Sequence, residues 1–134
     1  MFLGKFITTF SGKNRIILPK KFRQEVKDGV IYLIEGFDGG LWGFNSDKWG
    51  VEAGKRLAED LTSTTGRRER RKFFSSAEIC VLDGQGRFII PETMIVRAKL
   101  KEQILIVGTG DHFEIWEPNQ YQKVLNYDLS TVTN

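Results

Sequence analysis

The sequence predicts a mainly β protein with short helices, an α+β fold made from two copies of one small unit. Two observations predict this. The chain repeats itself at an offset of 72 residues, and each copy alternates short apolar runs with turns that contain glycine or asparagine. Without a gap, residues 6–49 match residues 78–121 at nine identical positions, among them Arg15 with Arg87. Because two copies are too few for a solenoid, we expect a pseudo-twofold pair that shares one core.

Each copy begins with a strand, a tight turn and a second strand, a pattern that predicts a hairpin. The four strands are expected at residues 5–10, 15–18, 78–82 and 87–90. The turn-forming residues of the two turns are Gly12, Asn14, Gly84 and Gly86. Asn14 and Gly86 hold the same place in their turns. Since asparagine and glycine tolerate a positive φ angle, we expect a left-handed backbone there.

A proline follows each hairpin, Pro19 in the first copy and Pro91 in the second, and predicts the start of a short helix. Two further strands complete each copy. They are expected at residues 30–36 and 41–44, and at residues 104–108 and 113–116. The gapless alignment pairs Leu33 with Leu105 in the third strands. About 45 residues bury too little surface for either copy to fold alone.

A helical connector is predicted between the copies. Ser46 is a suitable N-cap for its first helix. The apolar residues of that helix recur every four positions, at Trp49, Ala53 and Leu57. A break at residues 62–66 then precedes a second helix that ends near Phe74. The second helix carries a run of basic residues. These residues could be solvated on the exposed face of the helix, pair with acidic groups of a neighbouring subunit, or contact phosphate. The run consists of Arg67, Arg68, Arg70, Arg71 and Lys72.

The last segment of the chain is predicted to be a helix that starts at Pro118, followed by a tail after Tyr127. The predicted organisation has four parts. They are a first repeat over residues 1–49, a helical connector over 50–76, a second repeat over 77–121, and a helix end and tail over 122–134.

The charge distribution is uneven. The formal net charge is +3, and the segments 1–49, 50–74 and 75–134 carry +3, +3 and −3. Residues 13–27 contain six Lys/Arg and one acid, Glu25. Such a cluster suits phosphate groups or a solvated basic face.

Several classes of function are not indicated. No apolar run approaches the roughly 20 residues of a membrane helix. The chain has one cysteine, Cys80, and one histidine, His112, and neither lies in a metal-ligand cluster. No catalytic triad, carboxylate pair or phosphate-binding loop is recognisable. We therefore predict no enzyme activity, cofactor, metal ion, small-molecule substrate or membrane partner, and we expect a reducing cytoplasmic location.

The two turns resemble the signature of the MraZ family, which is Asp-x-x-x-Arg followed by apolar residues and proline. Residues 83–91 fit this signature fully, whereas Ser11 stands where the family has aspartate. The start of the chain, the Arg-rich connector that ends in Phe73-Phe74, and the segment from Gly108 to Trp116 are also similar. The resemblance covers residues 1–127.

The resemblance implies an AbrB-type swapped-hairpin, double-split β-barrel with the copies acting as a pseudo-dimer. It also implies a homo-oligomeric ring, associated with the nucleoid. The ring would bind short direct repeats of double-stranded promoter DNA upstream of its own cell-division and cell-wall gene cluster, typically as a repressor. By matching position, Arg15 and Arg87 would contact DNA. The alternatives are an AbrB-like antitoxin that also binds a toxin, and a structural ring-forming protein.

The candidate DNA-binding residues are Ser11, Lys13, Arg15, Lys20, Lys21, Arg23, Asp83, Gln85 and Arg87. Asp83 could hold its turn by accepting backbone N–H groups or could orient Arg87 by pairing with it. Ser11 can do only the first, more weakly. Because Lys20, Lys21 and Arg23 follow the first hairpin, we expect the first copy to add phosphate affinity and the second to add base selectivity.

Overall fold

The computed structural model describes the backbone of residues 1–132 and the side chains of residues 1–126. The strands of this part are β1 Lys5–Thr9, β2 Arg15–Ile17, β3 Val30–Glu35, β4 Leu41–Phe44, β5 Glu78–Val81, β6 Arg87–Ile89, β7 Gln103–Gly108 and β8 Phe113–Trp116. The helices are α1 Lys20–Arg23, α2 Ser46–Leu57, α3 Thr64–Ser75, α4 Glu92–Arg97 and α5 Pro118–Val132. The predicted α+β class, mainly β with short helices, is confirmed. No helix in the described residues has the length and apolar character needed to cross a membrane.

The two repeats exchange strands. Six strands form an antiparallel sheet in the order β1-β7-β8-β4-β3-β5, and β2 pairs with β6 in a separate two-stranded ribbon. β1 therefore pairs with β7 of the other repeat, and β5 pairs with β3. The prediction of local hairpins is wrong, because only one backbone bond at each turn joins the first two strands, such as the 2.8 Å bond from Ser11 N–H to the Arg15 carbonyl. The swapped arrangement implied by the family resemblance is confirmed.

The hydrophobic core lies between the sheet and the ribbon. Ile16 of β2 and Phe88 of β6 are paired and buried, and they pack with one face of the sheet and with α1 and α4. Since successive residues of a strand point to opposite faces, the alternate residues of β3 and β4 face outward. Ile34 and Phe44 pack there against Phe73 of α3, and α5 covers the outer face of β7 and β8 in the same way. The molecule thus has three layers.

The structure aligns the third strands of the two repeats, β3 and β7, one residue away from the gapless sequence alignment. Ile7 of β1 pairs with Leu105, whereas its counterpart Ile79 of β5 pairs with Tyr32. Leu105 therefore corresponds to Tyr32, and not to Leu33 as the gapless alignment has it. The cause is an extra residue before β7, where residues 90–102 number 13 against 12 in residues 18–29. The turn after β7 is one residue shorter, so the fourth strands return to the offset of 72 residues.

Three details of the helices differ from the predictions. The N-cap of α2 is Asn45, whose side chain accepts a 2.9 Å bond from Lys48 N–H, and Ser46 is the first helical residue. The predicted break ends earlier, because α3 begins at Thr64 and includes Gly66. A Cβ at Gly66 would collide with the carbonyl oxygen of Asp60, which explains the glycine inside the helix.

The third difference is the length of α5, which is helical to Val132 where a tail was expected after Tyr127. No proline or glycine in residues 128–132 interrupts it. Residues 133–134 of the predicted tail lie outside the described residues. The bounds of the four segments proposed from the sequence remain predictions.

Phe22 of α1 should be one of the side chains most important for stability. It is fully buried and its ring contacts those of Phe2, Phe6 and Phe113, at centroid distances of 5.2–5.8 Å. Replacement of Phe22 by alanine should lower the free energy of unfolding by about 3–5 kcal/mol. Urea denaturation at fixed protein concentration measures this. Val96→Ala, at an exposed position of α4, is the control and should change stability little; similar losses for both variants would contradict the assignment of the core.

Candidate nucleic-acid interface

The outer face of the β2–β6 ribbon displays both signature arginines. Arg15 pairs with Ile89 and Arg87 pairs with Ile17, on either side of the buried Ile16–Phe88 pair. Because residues alternate along a strand, these four outer side chains point away from the core. Arg15, Arg87 and Ile89 line one shallow depression together with Asp83. Swapping has therefore placed the two arginines on one small surface, and not on two separate hairpins as predicted.

The second turn is held by the carboxylate of Asp83. Its Oδ1 accepts backbone N–H bonds from Gln85 at 2.8 Å and from Arg87 at 3.0 Å. Its Oδ2 accepts a 3.1 Å bond from Nε of Arg87. Gly86 closes the turn with a φ of 77°, in the left-handed region as predicted. Asp83 thus performs both of the roles considered for it, and the bond through Nε leaves the terminal nitrogens of Arg87 without a hydrogen bond inside the described part of the chain.

These bonds also set the charge of Asp83. The backbone N–H of Arg87 lowers the pKa of the carboxyl group most, and the backbone N–H of Gln85 and the Arg87 guanidinium lower it further. The carboxylate therefore stays ionised at pH 7, and its hydrogen bond to Arg87 is kept at that pH.

The first turn has no carboxylate that holds its backbone and its arginine as Asp83 does in the second turn. The Ser11 hydroxyl makes no hydrogen bond to any described residue, and Nε of Arg15 donates instead to the Ser11 carbonyl at 3.3 Å. Asn14 adopts the predicted left-handed backbone, with a φ of 61°. Gly12 has a φ of 74°, and a Cβ there would lie 3.0 Å from Nη2 of Arg15, so the guanidinium rests over this glycine. The equivalent Gly84 has no positive φ. The two arginines are therefore held by different contacts.

Each turn also contacts the helix of the other repeat. Nδ2 of Asn14 donates a 2.7 Å bond to Oε2 of Glu92, at the start of α4. In the second turn, Arg23 of α1 covers Gly86 so closely that a Cβ there would collide with it, and its Nη1 lies 3.5 Å from the Gln85 carbonyl. The first turn thus has a carboxylate neighbour and the second a guanidinium neighbour.

The remaining candidates lie on the surface around this ribbon. Lys13 and Gln85 are exposed within their turns, and Lys20 and Lys21 are exposed on α1. Arg23 follows the first hairpin in sequence, but the strand exchange carries α1 to the second turn. Sequence reasoning missed Glu92 for the same reason. Only the swapped pairing, which no local pattern encodes, brings Glu92 beside Asn14.

Comparison of the sequence with known proteins assigns the chain to a family. A sequence profile described as "MraZ protein, putative antitoxin-like" matches residues 1–71 and 73–133. Three relatives are each named Transcriptional regulator MraZ. The one from Roseiflexus sp. (strain RS-1) is 37% identical over 126 residues, which cover 94% of this chain and 87% of the relative. The one from Lactiplantibacillus plantarum (strain ATCC BAA-793 / NCIMB 8826 / WCFS1) is 34% identical over 134 residues, which cover 100% and 92%.

The third relative, from Caldicellulosiruptor bescii, is 37% identical over 131 residues, which cover 97% of this chain and 91% of the relative. The chain therefore belongs to the MraZ family. This is a family of transcriptional regulators and not of enzymes. The first matched segment contains β1 to β4 and the second contains β5 to β8, so each segment includes one of the two repeats.

The pKa of Asp83 should depend both on the bonds from the backbone N–H groups and on the bond from the Arg87 side chain. We expect a carbon NMR titration to place it below that of a short peptide with the same sequence. In Arg87→Ala the pKa should rise only part of the way, because the backbone N–H donors remain. A lowered folded-state pKa means that this carboxylate stabilises the fold above its unfolded pKa, and that the contribution is lost as the pH falls through the folded pKa. A full return to the peptide value in Arg87→Ala would show that the ion pair alone sets the shift.

Proposed function

We propose that this protein is a transcriptional regulator that binds duplex DNA with the outer face of the β2–β6 ribbon. The single observation that carries the proposal is the position of Arg15 and Arg87 on one exposed two-stranded surface. The names of the relatives support the regulatory role. The location proposed with it is the cytoplasm, in association with the nucleoid.

The two-stranded architecture of the ribbon is one that the major groove of duplex DNA can admit. That groove is about 12 Å wide and admits a two-stranded ribbon, and arginine bonded to O6 and N7 of guanine contributes roughly 1–3 kcal/mol of discrimination between bases. Arg87 is prepared for this contact, because Asp83 fixes the guanidinium through Nε and leaves its terminal nitrogens available. Preorganisation lowers the entropy that is lost on binding.

The flanking basic residues would contact phosphate. Lys13 extends the first turn, Lys20 and Lys21 are exposed on α1, and Arg23 lies at the second turn. Phosphate contacts fix the register of a protein on DNA without reading its sequence. We infer that the second turn combines Arg87, which contacts bases and is held in place by Asp83, with a nearby cation, Arg23. The first turn presents a less constrained Arg15 beside the carboxylate of Glu92.

The proposal extends to assembly and target. The edge strand β5 exposes Ile79 and Val81 by 65% and 66%, beside the exposed Ile89 of the ribbon, and such an apolar edge favours self-association. A homo-oligomeric ring would present several ribbons to short direct repeats in promoter DNA. The target inferred from the family resemblance is the regulator's own cell-division and cell-wall gene cluster, and the regulation is repression.

A second candidate, an antitoxin, is favoured by the printed description of the family. Here, however, a second complete repeat occupies the region where such antitoxins carry a toxin-binding tail. Co-purification of a small partner protein encoded next to the gene, and inhibition of that partner's toxicity, would support the antitoxin over the promoter-binding regulator.

DNA binding is tested by fluorescence anisotropy with the gene's own upstream DNA and with a scrambled duplex, at two salt concentrations. We expect tighter binding to the upstream DNA, and a loss of that preference in the Arg15→Ala/Arg87→Ala double variant. Arg87→Ala alone should reduce discrimination more than Arg15→Ala, because only Arg87 is braced by a carboxylate. Equal binding of both duplexes by the wild-type protein would contradict sequence-specific recognition.

Glu92 should weaken binding at the first turn. In Glu92→Gln the amide oxygen can still accept the bond from Asn14, so the variant removes the charge and keeps the contact. We expect affinity for upstream DNA to rise about 3- to 10-fold at low salt, as for an interaction of roughly 1 kcal/mol, with a smaller gain at high salt. Glu102→Gln is the control for the same change in net charge. An equal gain in both variants would mean that only the overall charge matters.

A further inference from the structure

Helix α3 presents a basic face that the proposed DNA contact does not use. Its buried side contains Gly66 and Phe73, while Glu69 and Arg70 are half-buried at the boundary. The exposed positions of the helix carry no acid. They are Thr64, Thr65, Arg67, Arg68, Arg71, Lys72 and Ser75. We define Arg67, Arg68, Arg71 and Lys72 as the α3 patch.

No described acidic group lies within ion-pairing distance of the α3 patch. Nη1 of Arg67 donates to the carbonyl of Leu61 at 3.0 Å, and Nζ of Lys72 lies 4.2 Å from the centre of the Phe37 ring, and both partners are neutral. No ion pair with the patch is found in the described part of the chain. Four cations remain on one exposed surface.

This arrangement does not favour the stability of the helix. The patch contains two pairs of like charges, Arg67 with Arg71 and Arg68 with Lys72. The two members of each pair lie four residues apart on the helix and repel each other. Arg67 lies in the first turn of α3, where the helix dipole disfavours positive charge and where no acid is present. The helix is held instead by its Ser63 cap and by the packing of Phe73. An anionic partner would relieve both kinds of repulsion.

The α3 patch faces away from the ribbon. Phe73 packs with Ile34 and Phe44 on the outer face of the sheet, whereas the ribbon covers the inner face. A duplex seated on the ribbon of one protomer is therefore separated from the patch of that protomer by the whole thickness of the sheet. Whatever anion the patch binds belongs to a different molecule or to a distant segment.

We propose that the α3 patch binds the phosphate backbone of a second DNA segment, without reading its sequence, so that one protomer can hold two duplex segments on opposite faces. Residues 67–72 span about 8 Å of helix. The same length of duplex carries four to five phosphates when both strands are counted, at roughly one per 1.7 Å, so the four cations of the patch are comparable in number to the phosphates along that length. The guanidinium groups of three arginines suit phosphate oxygens. This inference rests on the proposed DNA-binding function only for the first segment.

The test is a bridging assay with the full-length protein. A biotinylated duplex of the upstream DNA is immobilised and loaded with protein, and capture of a fluorescent duplex of unrelated sequence is then measured. In Arg67→Gln/Arg68→Gln/Arg71→Gln we expect capture of the second duplex to fall at least tenfold, while loading on the first duplex is unchanged. Lys5→Gln/Lys101→Gln/Lys123→Gln makes the same change in net charge at exposed positions elsewhere and should retain capture.

Two outcomes would overturn the proposal. Unchanged capture in the α3 variant would mean that any bridging comes from the ribbons of other copies. If the α3 variant also loses binding to the immobilised first duplex, the patch binds the same DNA segment as the ribbon. Mass measurement of the assembly provides a third: a changed oligomeric state with unchanged capture would identify the patch as a contact between subunits.

A second measurement separates this proposal from the proposed function. The Arg15→Ala/Arg87→Ala protein should keep weak, salt-sensitive binding to any duplex, through the basic residues that flank the ribbon and through the α3 patch, and addition of the three α3 substitutions should weaken it further. If the wild-type protein shows no preference for upstream DNA but the α3 substitutions still weaken this residual binding, the proposed regulatory function is wrong and the proposal for the α3 patch is supported. Residual binding that the α3 substitutions leave unchanged overturns the patch.

Discussion

The pairing of β2 with β6 is the interaction on which the rest of the structure depends. Ile16 and Phe88 face each other at the centre of this ribbon and are both buried. Neither repeat supplies both strands, so the core forms only when each repeat gives its second strand to the ribbon and its first strand to the sheet. About 45 residues could not bury enough apolar surface alone. Strand exchange lets two such units close one core.

The same exchange determines the chemistry of the exposed surface. It places Arg15 and Arg87 on one face, and it carries α1 to the second turn and α4 to the first. A pseudo-twofold fold would present two equal turns if the repeats were identical. Their sequences differ at Ser11 and Asp83, and the exchanged helices deliver Glu92 and Arg23 to opposite turns. The asymmetry of the interface therefore arises from both repeats acting together.

Much of this could be predicted from the sequence, within a clear limit. The strands, the left-handed turn positions and the two alternative roles considered for Asp83 follow from local patterns of residues. The third-strand alignment failed, because Leu33 and Leu105 are identical by coincidence and a one-residue insertion before β7 moves Tyr32 into register with Leu105. Glu92 and Arg23 could not be found, since their contacts depend on which strand pairs with which. Local sequence encodes the elements, whereas the partner of each strand is decided by the shared core.

The three layers also explain why the net charge of +3 says little about binding. Basic residues of the first repeat surround the ribbon on the inner face of the sheet, and those of the connector lie on α3 at the outer face. Two positive surfaces point in opposite directions, and a sum over the chain merges them with the acidic second half. Some charges on both surfaces contribute little to the fold that carries them, since Arg67 and Arg71 repel each other and Arg15 has only a weak carbonyl contact. Charges that cost stability in the free protein are most simply explained by an anionic partner.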